Sequence, residues 1–516
     1  MGQGPAPRGA SIEAFTAMGI PEVPAAGALA AAVPAAVESW LSILEEHGTW
    51  HLTEVLAYAA DYARNGIPCS PKLAGVIETM APHFREHWPT SAEVWLADRI
   101  PSEGDLIRNP SYASLLDELA VASSSTSRTE GIRRARELWR GPIARSIVAF
   151  ASRPHRHSDG RDHAGVITEH DFAELTIARE EPLVRSFHGV EVVKAGFWSS
   201  GPVLLQALGI LESAGRSRSI DPSTVEGIHT ITEAMKLAMA DRDAYYGDAR
   251  DLPDTAVEYL LSPDYCAQRA TLIADEASGD FRPGTVPGCR PFIPPVSEPQ
   301  GVPTIGTGEP TVSRNGETRG DTCHVDVVDR WGNFVSATPS GGWLQSSPAI
   351  PGLGFCLGTR LQMTWLDPTS PSALTPGRRP RTTLSPTMLA SAGTPVAALG
   401  TPGGRSTGSV AVALSPAHRC RRLHAPGGDR RAHVPHHRDH QFVLAAGAVG
   451  ARPGDRGPRG SRRARRSTRT RTRRRRVLRV VARPSVHGRS RSVERHPQWS
   501  RQSPRWSRIR RRPMTR

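Results

Sequence analysis

The chain is sparing with the residues that build metal sites, disulfide frameworks and membrane spans. Six cysteines (Cys69, Cys266, Cys289, Cys323, Cys356 and Cys420) are scattered through 516 residues with no CxxC pair and no regular spacing. That pattern argues against a zinc site or a disulfide scaffold and fits a reducing compartment. No apolar run approaches the roughly 20 residues a membrane helix needs. The opening, MGQGPAPRGA, is rich in Gly and Pro and lacks the apolar stretch of a secretory leader. A cytoplasmic protein without a membrane segment is expected.

Acidic residues are scarce in one part of the chain only. Residues 1–410 hold 34 basic and 46 acidic residues, a net charge of −12, whereas residues 411–516 hold 31 basic and 4 acidic ones, a net charge of +27. The overall +15 therefore describes the tail. Every basic residue of that tail is Arg, set among His, Pro, Gly and Ala, and apolar periodicity all but vanishes. A nucleic-acid arm usually mixes Lys with Arg and interleaves aromatics. This composition has the character of a GC-rich reading frame translated out of register. The other reading is an evolved arm, whose nucleic-acid binding would fall steeply with salt. Either way the tail is expected to be disordered, because it has too little apolar surface to offset chain entropy. No nucleic-acid role is expected for residues 1–410.

The first part reads as helical. VPAAVESWLSILEEHG places Val37, Trp40, Leu41 and Leu44 on one face and ends at Gly48, and WHLTEVLAYAADYARNGIP ends at Asn65-Gly66. A strand at Val190–Val193 leads through a Ser-Ser-Gly turn into another helix. DPSTVEGIHTITEAMKLAMADRDAYYGD predicts a helix with a Ser223/Glu226 capping box and an apolar face of Val225, Ile228, Met235 and Met239. Residues 277–319, rich in Gly, Pro, Ser and Thr, read as a linker or flexible loop. A β-hairpin follows, with Val325 and Val327 alternating with His324 and Asp326, a Gly332-Asn333 turn, and a return over Phe334–Thr338. LSPTMLAS and VAALG are two further strand candidates, and TPGGRSTGS a turn. The fold class is α+β. Its parts are a helix-rich 1–321, a β-rich 322–410 and the basic 411–516.

The seam at Asp321-Thr322 bears on chemistry. A threonine hydroxyl is a poor nucleophile without a base beside it; one solution is to make the threonine the first residue of a chain, so that its own α-amine takes the proton. Cleavage between Asp321 and Thr322 would create such a terminus. A threonine opening a strand is also commonplace, and the pattern alone leaves both readings open.

The motifs GDTCHVDVVDRWGNFVSATPSGGW, PGLGFCLGTRLQM, PGRRPRTTLSPTM and GTPGG, in this order, resemble the γ-glutamyltransferase family, as do GQGPAP, NGIPCSPKL, FWSSGPVLLQ and EAMKLAMADRDAYYGD upstream. The resemblance covers about residues 1–410. It implies an N-terminal-nucleophile hydrolase fold, an αββα sandwich, made as one precursor that cuts itself into two fragments that stay associated. It implies acyl transfer from γ-glutamyl amides such as glutathione, to water or an amine, through a threonine ester, with no metal and no organic cofactor needed. Thr322 matches the processing and catalytic threonine, and Ser340 the hydroxyl that supports it, with Thr338 as its strand neighbour. Thr382 and Thr383 match a hydroxyl pair that contacts the substrate carboxylate. Gly403 and Gly404 match the glycines whose N–H groups form the oxyanion hole, where a side chain would block approach. The resemblance also implies residues before GQGPAP, so 1–321 reads as an N-terminally truncated large subunit. Trp365 falls near the position of an Asp that holds the substrate α-amino group, with Asp367 close by. Two alternatives follow: an acylase of the same fold acting on another amide, such as a β-lactam side chain, or an inactive truncated remnant.

Outside these motifs, HRHSDGRDH (155–163) reads as a solvated loop, Asp241, Arg242 and Asp243 as a structural ion-pair set, and the tryptophans as core.

Overall fold

The computed structural model describes residues 4–97, 99–248, 252–295 and 322–400. The first part is helical, as the apolar spacing requires. Its principal helices are α1 (Ala36–His47), α2 (Leu52–Asn65), α3 (Pro71–His87), α4 (Pro110–Ala122), α5 (Arg128–Leu138) and α6 (Ala144–Ala151). Gly48 and Gly66 terminate α1 and α2; Gly66 has φ +96°, open to glycine and strained for other residues. Leu41, Leu52, Leu115, Leu119, Ile132, Trp139 and Ile147 pack into one core. Glu38, buried on α1, is held by Arg136 at 2.6 Å and Arg140 at 3.0 Å.

A second core surrounds α7 (Gly201–Ala214), which is apolar nearly all round and buried along almost its full length. α8 (Val225–Tyr245) and α9 (Pro263–Ala270) flank it. Its other neighbour is a four-stranded antiparallel sheet of order β6-β5-β2-β1, made of β1 (Leu183–Phe187), β2 (Val190–Lys194), β5 (Thr387–Ser391) and β6 (Thr394–Leu399). Phe187, Val192 and Leu389 turn into this core. The β3 (Val325–Val328) and β4 (Phe334–Ala337) hairpin forms a separate pair, tied to β6 where the Ser336 hydroxyl donates to Leu399 O at 3.5 Å.

The residues on either side of Thr322 do not form separate cores. β2 precedes Thr322 and β5 follows it, and they pair in register from Glu191 with Ala390 to Lys194 with Thr387. Ile350, Leu353 and Leu357 enter the helical core, Asn109 donates to Gly354 O at 2.6 Å, and the Ser91 hydroxyl accepts from Ala349 N at 2.9 Å. A cut before Thr322 would therefore leave two pieces sharing a sheet and a core.

Several expectations need correction. The cap of α8 is Thr224, which accepts from Gly227 N at 3.0 Å, while Ser223 turns to Asp221; Val225 and Ile228 are exposed, so the inward face begins later, at Thr230, Ala234 and Met235. Residues 277–295 are irregular but packed: Val286 and Phe292 are buried, and Gly284 N donates to Asp241 at 2.7 Å. The 155–163 stretch is a small antiparallel ladder whose His157 is buried, its Nε2 accepting from Leu29 N at 3.0 Å. Burial and two neighbouring imidazoles lower that imidazole to about 4, so it stays neutral and acts as an anchor. Trp40, Trp50 and Trp331 are exposed rather than core. In the hairpin Val325, Val327, Val328 and Val335 are exposed, as is Asp326, while His324, Ser336, Thr338 and Ser340 are half-buried.

Candidate active site

Thr322 sits just before β3, where the chain is extended and half-buried. Strand alternation puts residues 322, 324 and 326 on one face, and antiparallel pairing of Val325 with Ala337 sets each opposite a residue of the returning strand. The inward face is a ladder of polar groups. Thr322 Oγ1 lies 2.8 Å from Ser340 Oγ. Next along, His324 Nδ1 lies 2.8 Å from Thr338 Oγ1, and His324 Nε2 lies 2.8 Å from Asp326 Oδ2. The Cys323 N–H donates to Pro339 O at 3.3 Å, closing the pair at its open end.

Ser340 is held by the turn that follows. Gly341 has φ +109°, and a Cβ built on it would lie 2.7 Å from Arg360 Nε. Its carbonyl accepts from Thr359 N at 3.1 Å and from the Ser346 hydroxyl at 3.2 Å. The buried Arg360 lies over the Trp343 ring, 5.5 Å from its centroid. Gly341→Ala is expected to cost about 1–3 kcal/mol, because it meets both a left-handed backbone and a filled space. The check is the denaturation midpoint of the variant, and an unchanged midpoint would refute this account of the turn.

Thr382 and Thr383 are buried in a second segment. Thr382 N donates to Trp198 O at 2.9 Å, Ser200 Oγ donates to Thr382 O at 3.3 Å, and Thr382 Oγ1 accepts from Leu384 N at 3.3 Å. The Thr382 hydroxyl thus caps its own turn. No hydrogen bond among the described residues joins this pair to Thr322 or Ser340. Arg381 ties the segment to α8 through Asp243 at 3.1 Å and Arg242 O at 2.9 Å. On the same helix the buried Asp241 pairs with Arg269 at 3.1 Å, and burial raises its carboxyl despite that partner. Asp241, Arg242 and Asp243 are framework. Gly403 and Gly404 lie outside the described residues, as do Asp321 and the whole of 411–516.

The segment is also pinned by Lys194 at the end of β2. This side chain is 2 % exposed, and its Nζ donates to Ser385 O at 2.8 Å and Thr387 Oγ1 at 2.6 Å. Desolvation lowers its ammonium to about 7. A cavity of about 240 Å³ lies here, lined by Lys194, Trp198, Glu180, Ser336, Thr387 and Met388 among others. Among the described residues no group of three or more His, Cys, Asp or Glu side chains converges as metal ligands would. Nor is any described helix long and apolar enough to cross a membrane.

Sequence reasoning passed over His324 and Lys194. Both were signalled by alternation: His324 shares a strand face with Thr322, and Lys194 shares one with Val190 and Val192.

A family model described as gamma-glutamyltranspeptidase matches residues 1–415. The chain belongs to the gamma-glutamyltranspeptidase family. It is similar to the acylase ACY 1 proenzyme of Pseudomonas sp. (strain SE83), 26 % identical over 379 residues that make up 73 % of this chain and 59 % of that protein. It is equally similar to the glutathione hydrolase proenzyme of Bacillus subtilis (strain 168), 26 % identical over 381 residues, with 73 % and 58 % covered. The chain thus spans less than two thirds of the length of these curated relatives. Among solved structures, one of LmbA2991 superposes with a TM-score of 0.74 at 43 % identity, covering 83 % of this chain and 71 % of that one. A cephalosporin acylase from Bacillus halodurans does so with a TM-score of 0.65 at 25 % identity, covering 81 % and 69 %.

Proposed function

We propose that this protein is an N-terminal-nucleophile acyl-transfer enzyme of the αββα type, made as a precursor and cut before Thr322. The observation that carries the reading is the 2.8 Å contact between the Thr322 and Ser340 hydroxyls at the start of the first strand after the seam. In the cut form the Thr322 α-amine takes the hydroxyl proton, Oγ1 attacks the substrate amide carbonyl, and the amine leaves with that proton. The resulting ester passes its acyl group to water or to another amine. Ser340 holds the Oγ1 lone pairs in line, and Gly403 and Gly404 supply the oxyanion N–H groups. The shared sheet and core keep the two fragments together. The family's donor is a γ-glutamyl amide of the glutathione type, and Thr382 and Thr383 are the groups assigned to its carboxylate.

A second reading, an acylase on an amide without an α-amino group, is favoured by residues 365–369. Trp365 packs edge-on against Phe292, with ring centroids 5.3 Å apart. Asp367 is turned back on Thr369, accepting from its N–H at 2.8 Å and its hydroxyl at 2.7 Å. Those bonds lower its carboxyl and occupy it locally, away from a substrate ammonium.

The test is intact mass and N-terminal sequencing of the purified full chain, followed by hydrolysis of a γ-glutamyl anilide beside a glutaryl amide. Two fragments, one beginning at Thr322, are expected. Faster turnover of the γ-glutamyl compound supports the first reading, and indifference to the α-amino group supports the acylase. A single uncut chain without activity on either compound overturns both.

A further inference from the structure

In the precursor the Thr322 nitrogen belongs to a peptide bond. It has no basic lone pair, so it cannot take the proton from Oγ1 when the chain cuts itself. Ser340 touches Oγ1 but is itself a neutral hydroxyl. The first cut therefore needs a base that later turnovers do not. We propose that His324, oriented by Asp326, is that base.

The geometry is specific about the imidazole. An ionised carboxylate only accepts, so the 2.8 Å contact of Nε2 with Asp326 Oδ2 places the ring proton on Nε2. Nδ1 is then unprotonated and accepts from the Thr338 hydroxyl at 2.8 Å. The ring is 7 % exposed, and a Cβ on Gly400 would lie 2.2 Å from its Cε1, so the backbone beyond β6 holds it in this plane. Asp326, His324 and a hydroxyl thus stand in the orienter–base–hydroxyl order of a nucleophilic triad. Thr338 and Ser340 lie two residues apart on one strand face, roughly 7 Å between backbones. The proposed proton path runs from Thr322 Oγ1 to the Ser340 hydroxyl, through solvent to the Thr338 hydroxyl, and on to His324 Nδ1.

The step balances. Thr322 Oγ1 bonds to the carbonyl carbon that precedes Thr322, and its proton passes along the hydroxyls to Nδ1. The tetrahedral centre collapses with loss of the C–N bond, and the imidazolium returns the proton to the departing Thr322 nitrogen. Water then hydrolyses the ester, leaving a carboxylate and a free N-terminal threonine. From that point the α-amine is the nearer base, and His324 is no longer needed for proton transfer.

This inference rests on the reading that the chain cuts before Thr322. Full-length His324→Asn is the principal variant: the amide oxygen still accepts from Thr338, but it is not a base. Cutting, followed on denaturing gels, is expected to slow by about 10²-fold or more. In full-length His324→Ala, added imidazole is expected to speed cutting, a response that a purely structural role would not produce. Cutting of His324→Asn at the wild-type rate overturns the proposal, and so does slow cutting in both variants with no response to imidazole. Should His324→Asn lose its melting transition, Asp326→Ala decides: it keeps the ring but removes its orienter, and normal cutting there overturns the proposal. If wild type itself stays uncut, it is the underlying reading that fails.

Discussion

Thr322→Ala is expected to yield a single uncut chain without amide-acyl transfer, at a melting temperature close to that of wild type. The side chain is half-buried at a strand start and fills no core, so its loss is worth about 0.5 kcal/mol or less in stability. Its loss in chemistry is complete, because no other described hydroxyl sits at the seam with a supporting hydroxyl at 2.8 Å. Thr322→Ser keeps the nucleophile and is expected to cut, more slowly, since the methyl that restricts χ1 is gone. Ser340→Ala removes one hydrogen bond to the nucleophile and is expected to slow cutting about 10–100-fold, the kinetic equivalent of an unmade bond at a partly buried group. The measurement is fraction cut against time on denaturing gels, with melting curves of each variant. A cut Thr322→Ala chain would remove the site from Thr322 altogether. An uncut Ser340→Ala chain that also melts early would make Ser340 structural.

The legibility of this chain depended on whether neighbours along the sequence were also neighbours in space. Helices ending at Gly48 and Gly66 were readable because capping is local. The hairpin was readable for the same reason: Asp329 to Asn333 is a turn whose bonds stay within it. What was misread depended on distant packing. Val225 and Ile228 satisfy helical spacing, yet they are exposed; the buried face of α8 at that end holds Gly227 and Thr230, and along the helix it is chosen by α7. Residues 277–295 have a loop's composition but are fastened by Asp241 and by the Tyr245 hydroxyl, which donates to Gly284 O at 2.5 Å. The proposed nucleophile pair, Thr322 and Ser340, was legible only through the family motif, since an Asp-Thr at a strand start is commonplace. His324 and Lys194 were legible in principle. Each lies in period-2 phase with residues already known to face inward, and a titratable side chain in that phase must find a partner or shift its pKa.

Lys194 provides the second large effect. Its folded-state pKa of about 7 lies below the usual lysine value, and desolvation is the cause. The unfolded chain therefore binds more protons than the native one between about pH 7 and pH 10.4, and stability attributable to this residue rises with pH across that window. Below pH 7 both states carry the charge and the full burial penalty stands. Above pH 10.4 both are neutral and the penalty is gone. Lys194→Met removes the charge while nearly keeping the volume. It forfeits the bonds to Ser385 O and Thr387 Oγ1, but the Thr387 hydroxyl already donates to Ser385 O at 3.4 Å and can take up that carbonyl. Relative to its parent, the variant is expected to be more stable at pH 6 and to lose that advantage toward pH 10, a swing on the order of a few kcal/mol. Melting temperatures of both chains across pH 6–10, in a Thr322→Ala background so that neither is cut, measure the swing directly; other titrating groups cancel in the difference. Parallel curves would mean that the amine is neutral or compensated throughout. A swing of the expected sign would mean that β2 carries an uncompensated cation into its junction with β5, loosening that joint on the acid side of neutrality and tightening it on the alkaline side.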